Sequence, residues 1–163
     1  MPHHPNTIFI IRHAEKPPDS VPPDPHLSVT GRARAAALVN YPFPPLAAIF
    51  AAETSTESAR PVETVTPIST DRGIPISADV KDKEYPKLLP QVLSKDFKGK
   101  DILICWHHGE IPDLARALGT AVPLAYKWPC GVFDRVWVLT YAADGTVTRE
   151  DRPQHLLPGD SAT

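Results

Sequence analysis

Two short segments concentrate the residue types that can do chemistry. Arg12-His13-Ala14-Glu15-Lys16-Pro17 follows the apolar run Ile8 to Ile11, and His107-His108-Gly109-Glu110 follows Ile102 to Trp106. A continuous apolar run rich in β-branched residues reads as a strand buried on both faces. Each strand therefore ends on a histidine. If the two strands are neighbours, His13 and His107 face one cavity, and Arg60, at the start of a later helix, enters it from the side.

That set suits phosphoryl transfer. The reaction needs a nucleophile, and it needs positive charge and hydrogen-bond donors around three equatorial oxygens. A neutral His13 ring nitrogen can attack phosphorus. Arg12 and Arg60 offer planar bidentate forks, His107 can donate from its ring, and the helix that follows adds partial positive charge. A carboxylic acid must protonate the leaving oxygen. Glu110, near His107 in sequence, is the leading choice for that acid.

The elements that must position these groups alternate. Strands are expected at 8–11, 46–51, 74–78, 101–106 and 132–141, with Asp144-Gly145 turning the last into a hairpin partner at 146–149. Helices are expected at 31–40, 58–66, 85–93 and 111–118, with Pro67 ending or kinking the second and Gly119 stopping the last. Strands alternating with helices imply an α/β three-layer sandwich. Its central sheet is mostly parallel, and the hairpin makes it mixed. Such sheets bind ligands at the carboxyl ends of their strands, where both histidines lie. Residues 1–163 read as one domain, with about 152–163 expected to fray as a tail.

Four segments in order resemble the histidine phosphatase superfamily, the phosphoglycerate-mutase-like proteins. They are Arg12-His13-Ala14-Glu15 after the first strand, Leu27-Ser28-Val29-Thr30-Gly31 before a helix, Arg60-Pro61-Val62-Glu63-Thr64 opening another, and the late strand ending in His107. The resemblance runs from about Phe9 to Leu118. It implies that fold, a phosphohistidine intermediate on His13, a phosphate pocket of Arg12, Arg60 and His107, and no metal or other cofactor. It also implies a proton donor after the third strand, where Asp79, Asp82 and Glu84 lie, with Asp82 and Glu84 ranking behind Glu110. The expected activity is hydrolysis of a small-molecule phosphoester or a phosphoprotein. A mutase and a non-catalytic phosphate-binding module share the same pocket and are the alternatives. The chain departs from the pattern in its doubled histidine, where His107 is preferred because it comes directly off the strand, and in a longer approach to Arg60 over 53–59.

Plainer readings stand beside these. His108 reads as packing, Lys16 as a solvated lysine, Glu15 as orienting its loop or pairing with an arginine, and 54–58 as a polar loop with a cap. Adjacent histidines on an extended chain point apart, and no Cys-x-x-Cys or His-Glu-x-x-His spacing occurs, so a metal site is not expected. The chain has 163 residues, 42% hydrophobic and 22% charged, with a net charge of -2. It therefore lacks the basic field of a nucleic-acid binder. No apolar run approaches the roughly 20 residues that cross a bilayer, and the N-terminus lacks signal-peptide character. Two cysteines are too few for a disulfide framework, so a cytoplasmic protein with reduced thiols is the expectation. The 20 prolines read as stiff loops and helix first turns.

Overall fold

The computed structural model describes residues 3–163. Its strands are β1 (Thr7–Arg12), β2 (Ala48–Ala52), β3 (Ile76–Val80), β4 (Asp101–Trp106), β5 (Arg135–Tyr141) and β6 (Val147–Pro153). They form one sheet in the order β3-β2-β4-β1-β5-β6. The first four lie parallel, and β5 and β6 are antiparallel additions. This is the mixed sheet that the alternating pattern and the terminal hairpin imply.

Each central strand alternates its side chains between two cores. On one face Ile8, Ile10, Phe50, Ile102, Ile104, Trp106 and Trp137 pack with Leu88, Val92, Ile111 and Leu114. On the other, Phe9, Ile11, Ile49, Leu103, Cys105, Val136 and Val138 pack with Leu38, Val65 and Ile68. On the second face the partners come from α2 (Arg60–Arg72) and from the 3-10 turn Leu38–Asn40 that follows α1 (Val29–Ala37); on the first they come from the 3-10 stretch Asp82–Leu88, α3 (Leu89–Val92) and α4 (Ile111–Ala117). Two apolar faces, each covered by helices, make the sandwich three-layered. Among the described residues no helix is long and apolar enough to cross a membrane.

Local chemistry sets the helix ends. Ser28 caps α1 by accepting from the Gly31 amide at 3.0 Å. Pro61 and Pro112 occupy first turns, where a missing N–H costs nothing. Three expectations need correction. Helix α2 does not end at Pro67 but runs on to Arg72, closing at Gly73 with φ 66°. Burial of Val65 and Ile68 against the sheet outweighs the hydrogen bond that an interior proline removes, a cost of about 3 kcal/mol. The terminal segment is not a frayed tail either. Strand β6 extends to Pro153, Gln154 is buried, and Asp160 hydrogen-bonds Arg34. The segment 85–93 is also less regular than a helix, being a 3-10 stretch (Asp82–Leu88) that leads into the single turn α3; Pro86 and Pro90 remove the donors that a longer helix needs.

Gly31 marks a close approach. A Cβ built there would lie 2.2 Å from the Glu15 carbonyl oxygen, far inside contact distance. Gly31→Ala is therefore expected to destabilise the fold by about 1–3 kcal/mol, read from urea unfolding. Unchanged stability would contradict the contact.

Candidate active site

Strand β1 pairs with β4 in parallel, with Arg12 opposite Trp106. The His13 amide continues the ladder by donating to the Trp106 carbonyl at 3.0 Å. The residues that follow each strand therefore emerge side by side. The His13 and His107 rings meet edge to face with centroids 5.2 Å apart. The two rings are thus in contact, at the carboxyl end of the parallel strands.

His13 is 3% exposed. Its Nδ1 lies 2.7 Å from the Ala14 carbonyl oxygen. A carbonyl only accepts, so Nδ1 carries the hydrogen and Nε2 keeps its lone pair. Burial pushes the imidazole down to about 3. The hydrogen bond to Ala14 opposes that shift, while His107, Arg12 and Arg60 add to it. His107 is pushed down to about 4, by burial first and then by Arg60, His108 and Arg12. Both rings are neutral at physiological pH.

Arg12 is buried at 2% exposure. Its Nη1 donates to the carbonyls of Cys130 at 2.8 Å and Val132 at 2.9 Å, and its guanidinium carbon lies 3.8 Å from the Phe133 ring centroid. Burial lowers its pKa to about 10, so the charge persists at neutral pH. Arg60 Nη1 donates to the Asp24 carbonyl at 2.9 Å. The Nε atoms of both arginines are buried and have no partner within the protein. Buried guanidinium donors left unpaired are costly unless they serve an anion. The loop before Arg60 is knitted by its serines: Ser55 Oγ accepts from Glu57 N and Ser58 N, and Ser58 Oγ accepts from Arg60 N.

A cavity of about 540 Å³ opens beside His107 and Arg60, lined also by Ser55, Ser58, Asp82 and Glu84. The expected acid, Glu110, sits at the N-cap of α4 and is not among the lining residues. Asp82 is. Its main-chain carbonyl accepts from Trp106 Nε1 at 3.0 Å, which draws the 3-10 stretch onto the end of β4. Its Oδ1 is buried without a partner. Burial, and then the nearby Glu110 carboxylate, raise Asp82 to about 6. Asp79 accepts from Gln91 at 3.4 Å and Glu84 from Lys87 at 3.0 Å. His108 lines a different cavity, with Pro112, Tyr126 and Trp128. Among the described residues no group of three or more His, Cys, Asp or Glu side chains is placed to hold a metal ion.

No protein-family model and no curated protein sequence matches this chain. Solved structures do. The phosphoglycerate mutase of Plasmodium falciparum superposes with a TM-score of 0.61 at 18% identity, over 96% of each chain. The phosphoserine phosphatase of Entamoeba histolytica, in complex with 3-phosphoglyceric acid, gives 0.60 at 15% identity, over 93% of this chain and 99% of that one. A mycobacterial glucosyl-3-phosphoglycerate phosphatase, in complex with inorganic phosphate, gives 0.57 at 13% identity, over 90% and 95%. These proteins are histidine phosphatase superfamily members. This chain has the histidine-phosphatase fold. The same fold therefore accommodates an arginine in mid-α1, Arg34, and a C-terminal segment that returns to meet it.

The burial of the two histidines has a direct readout. In a histidine ¹⁵N titration, His13 and His107 are expected to hold the neutral pattern from pH 7 down to pH 5, since their protonation lies near 3 and 4. A midpoint close to the ordinary 6.5 for either ring would contradict the buried, cation-flanked geometry.

Proposed function

We propose that this chain is a phosphatase that hydrolyses a phosphomonoester through a phosphohistidine on His13, without a metal ion. The observation that carries the reading is the pairing of a neutral His13, its Nε2 free, with Arg12 and Arg60, whose Nε atoms are buried and unpartnered. The guanidiniums and the His107 ring supply the charge and the donors that a metal would otherwise bring to a phosphoryl group.

In the first step His13 Nε2 attacks phosphorus. The bond to the leaving oxygen breaks, and that oxygen takes the proton of the Asp82 carboxyl. In the second step the Asp82 carboxylate takes a proton from water, the water oxygen attacks phosphorus, and Nε2 leaves. Asp82 and His13 are restored, and the products are an alcohol and inorganic phosphate. A carboxyl raised to about 6 suits both halves, because an acid and base working near ambient pH is the efficient one. An alkoxide leaving group needs that proton, which favours a phosphoester substrate. The rim of the cavity is exposed at Thr54, Glu57, Lys81 and Lys83, so water is at hand as the acceptor. That favours hydrolysis over transfer to a second hydroxyl. The substrate is a small phosphoester or the phosphorylated side chain of a protein. The Entamoeba and mycobacterial neighbours, named for phosphoserine and glucosyl-3-phosphoglycerate, support this class.

With a chelator present, p-nitrophenyl phosphate is expected to turn over in the wild type and His13→Ala to lose at least about a thousandfold in kcat, since it lacks the nucleophile. Chelator-sensitive turnover, or turnover unchanged in His13→Ala, would sink the reading.

The pH profile follows from the same groups. Free enzyme needs His13 unprotonated and Asp82 protonated, so kcat/KM for an alkyl phosphate should rise through about 3 to 4 and fall above about 6. Asp82→Asn should remove the upper limb and cost about 10²–10⁴-fold, while Glu110→Gln should leave most of the rate and lower that limb slightly, by taking a charge from beside Asp82. The reverse ranking of the two variants would return the acid to Glu110.

A further inference from the structure

Glu15, two residues after the proposed nucleophile, is tied to the far end of the chain through Arg34. Its carboxylate accepts from Arg34 Nε at 2.8 Å and Nη2 at 3.0 Å. The other side of the same guanidinium meets Asp160, with Nη2 to Oδ1 at 2.8 Å and Nη1 to Oδ2 at 2.9 Å. Nη1 also donates to Gln154 Oε1 at 2.9 Å. A guanidinium has five N–H donors, and these contacts engage all of them. The Arg34 side chain is 4% exposed and that of Asp160 7%. A solvent-screened surface pair would contribute little; this one is buried and bidentate on both sides.

The terminal segment is fixed along its length. Asp160 Oδ2 accepts from the amides of Leu156 and Leu157. The Gln154 amide donates to the Asp134 carbonyl, Gln154 Nε2 to the Arg135 carbonyl, and the Ser161 amide to Asp134 Oδ2. Asp134 adjoins Phe133, whose ring stacks on the Arg12 guanidinium and lies 6.1 Å from the His13 ring. The segment therefore bonds to residues that adjoin both the His13 turn and the Phe133 ring.

Its hold on the nucleophile is geometric. The carbonyl that fixes the His13 tautomer belongs to the peptide joining Ala14 to Glu15. The Ala14 amide donates to Thr64 Oγ1, and the Glu15 carbonyl accepts from the Ser28 amide and hydroxyl. Through the Glu15 carboxylate, Arg34 adds a side-chain tether to that turn. Arg34 also holds the Asp160 carboxyl well below its usual range.

We propose that Gln154–Ser161 is a brace that positions His13 and Arg12, with Arg34 and Asp160 as its positioning residues. This rests on the phosphatase reading for its kinetic consequence but not for its structural one.

The test compares wild type, Asp160→Ala, Asp160→Asn and Asp160→Glu in the full chain, well below their melting temperatures. With p-nitrophenyl phosphate, Asp160→Ala should lower kcat about 10- to 100-fold, the scale of an ångström-sized misplacement, with KM changing less than about threefold, and Asp160→Glu should recover part of the loss. The His13 ring ¹⁵N signals, recorded without substrate, should shift in the same order. Should Asp160→Ala fail to fold, Asp160→Asn, isosteric and uncharged, carries the comparison. Variants that melt earlier yet keep wild-type kcat and His13 signals would overturn the brace. If His13 signals move but the wild type turns nothing over, the brace stands and the phosphatase reading falls.

Discussion

The site depends on one backbone interaction, the parallel pairing of β1 with β4. Parallel strands in register end at the same level, and here that register sets Arg12 against Trp106 and carries on into the His13 amide. Two residues that are distant in sequence thus leave the sheet as neighbours. The apolar alternation that buries Ile8, Ile10, Ile102 and Ile104 on one face and Phe9, Ile11, Leu103 and Cys105 on the other specifies the register, because a one-residue slip would swap every side chain between the two cores. The same slip would carry His13 away from His107. Folding and the assembly of the site are one event.

The electrostatic design follows from where that event leaves the charges. Arg12 and Arg60 are held by main-chain carbonyls, which orient a guanidinium without neutralising it. Their charge therefore stays available and, with burial, keeps His13 and His107 neutral. A neutral imidazole is the nucleophilic form, so the cations that would bind a phosphoryl group also keep its attacker ready. Across the cavity Asp82 is raised by burial and by Glu110. Guanidiniums beside the phosphoryl position and a protonated carboxyl beside the leaving oxygen are what a phosphoester needs to come apart.

Much of this was legible in the residue pattern. The apolar runs ending in His13 and His107 located two strands whose ends bring the two histidines together, because strand burial and strand ends are written locally. Glu110 ranks above Asp82 in the sequence because it lies nearer His107; the Trp106 Nε1 contact that draws Asp82 to the end of β4 spans 24 residues and is not written locally. Arg34 in an Ala-rich helix looks solvated, and a polar terminus with Pro158 and Gly159 looks frayed. Each is ordered by the other, through a contact 126 residues apart that no local rule encodes. Pro67 looks like a helix stop until the packing of Val65 and Ile68 is known. Glu15 was legible as an arginine's partner, but which arginine was not.

In the proposed reaction phosphorus passes through covalent attachment to His13. The most direct measurement is rapid quenching of the enzyme with a ³²P-labelled phosphomonoester, followed by mapping of the labelled peptide. The expected product is a phosphoramidate on His13, stable in alkali and lost in acid, that forms and decays fast enough to support turnover and is absent from His13→Ala. Turnover without label on His13, or label on another residue that survives His13→Ala, would contradict it.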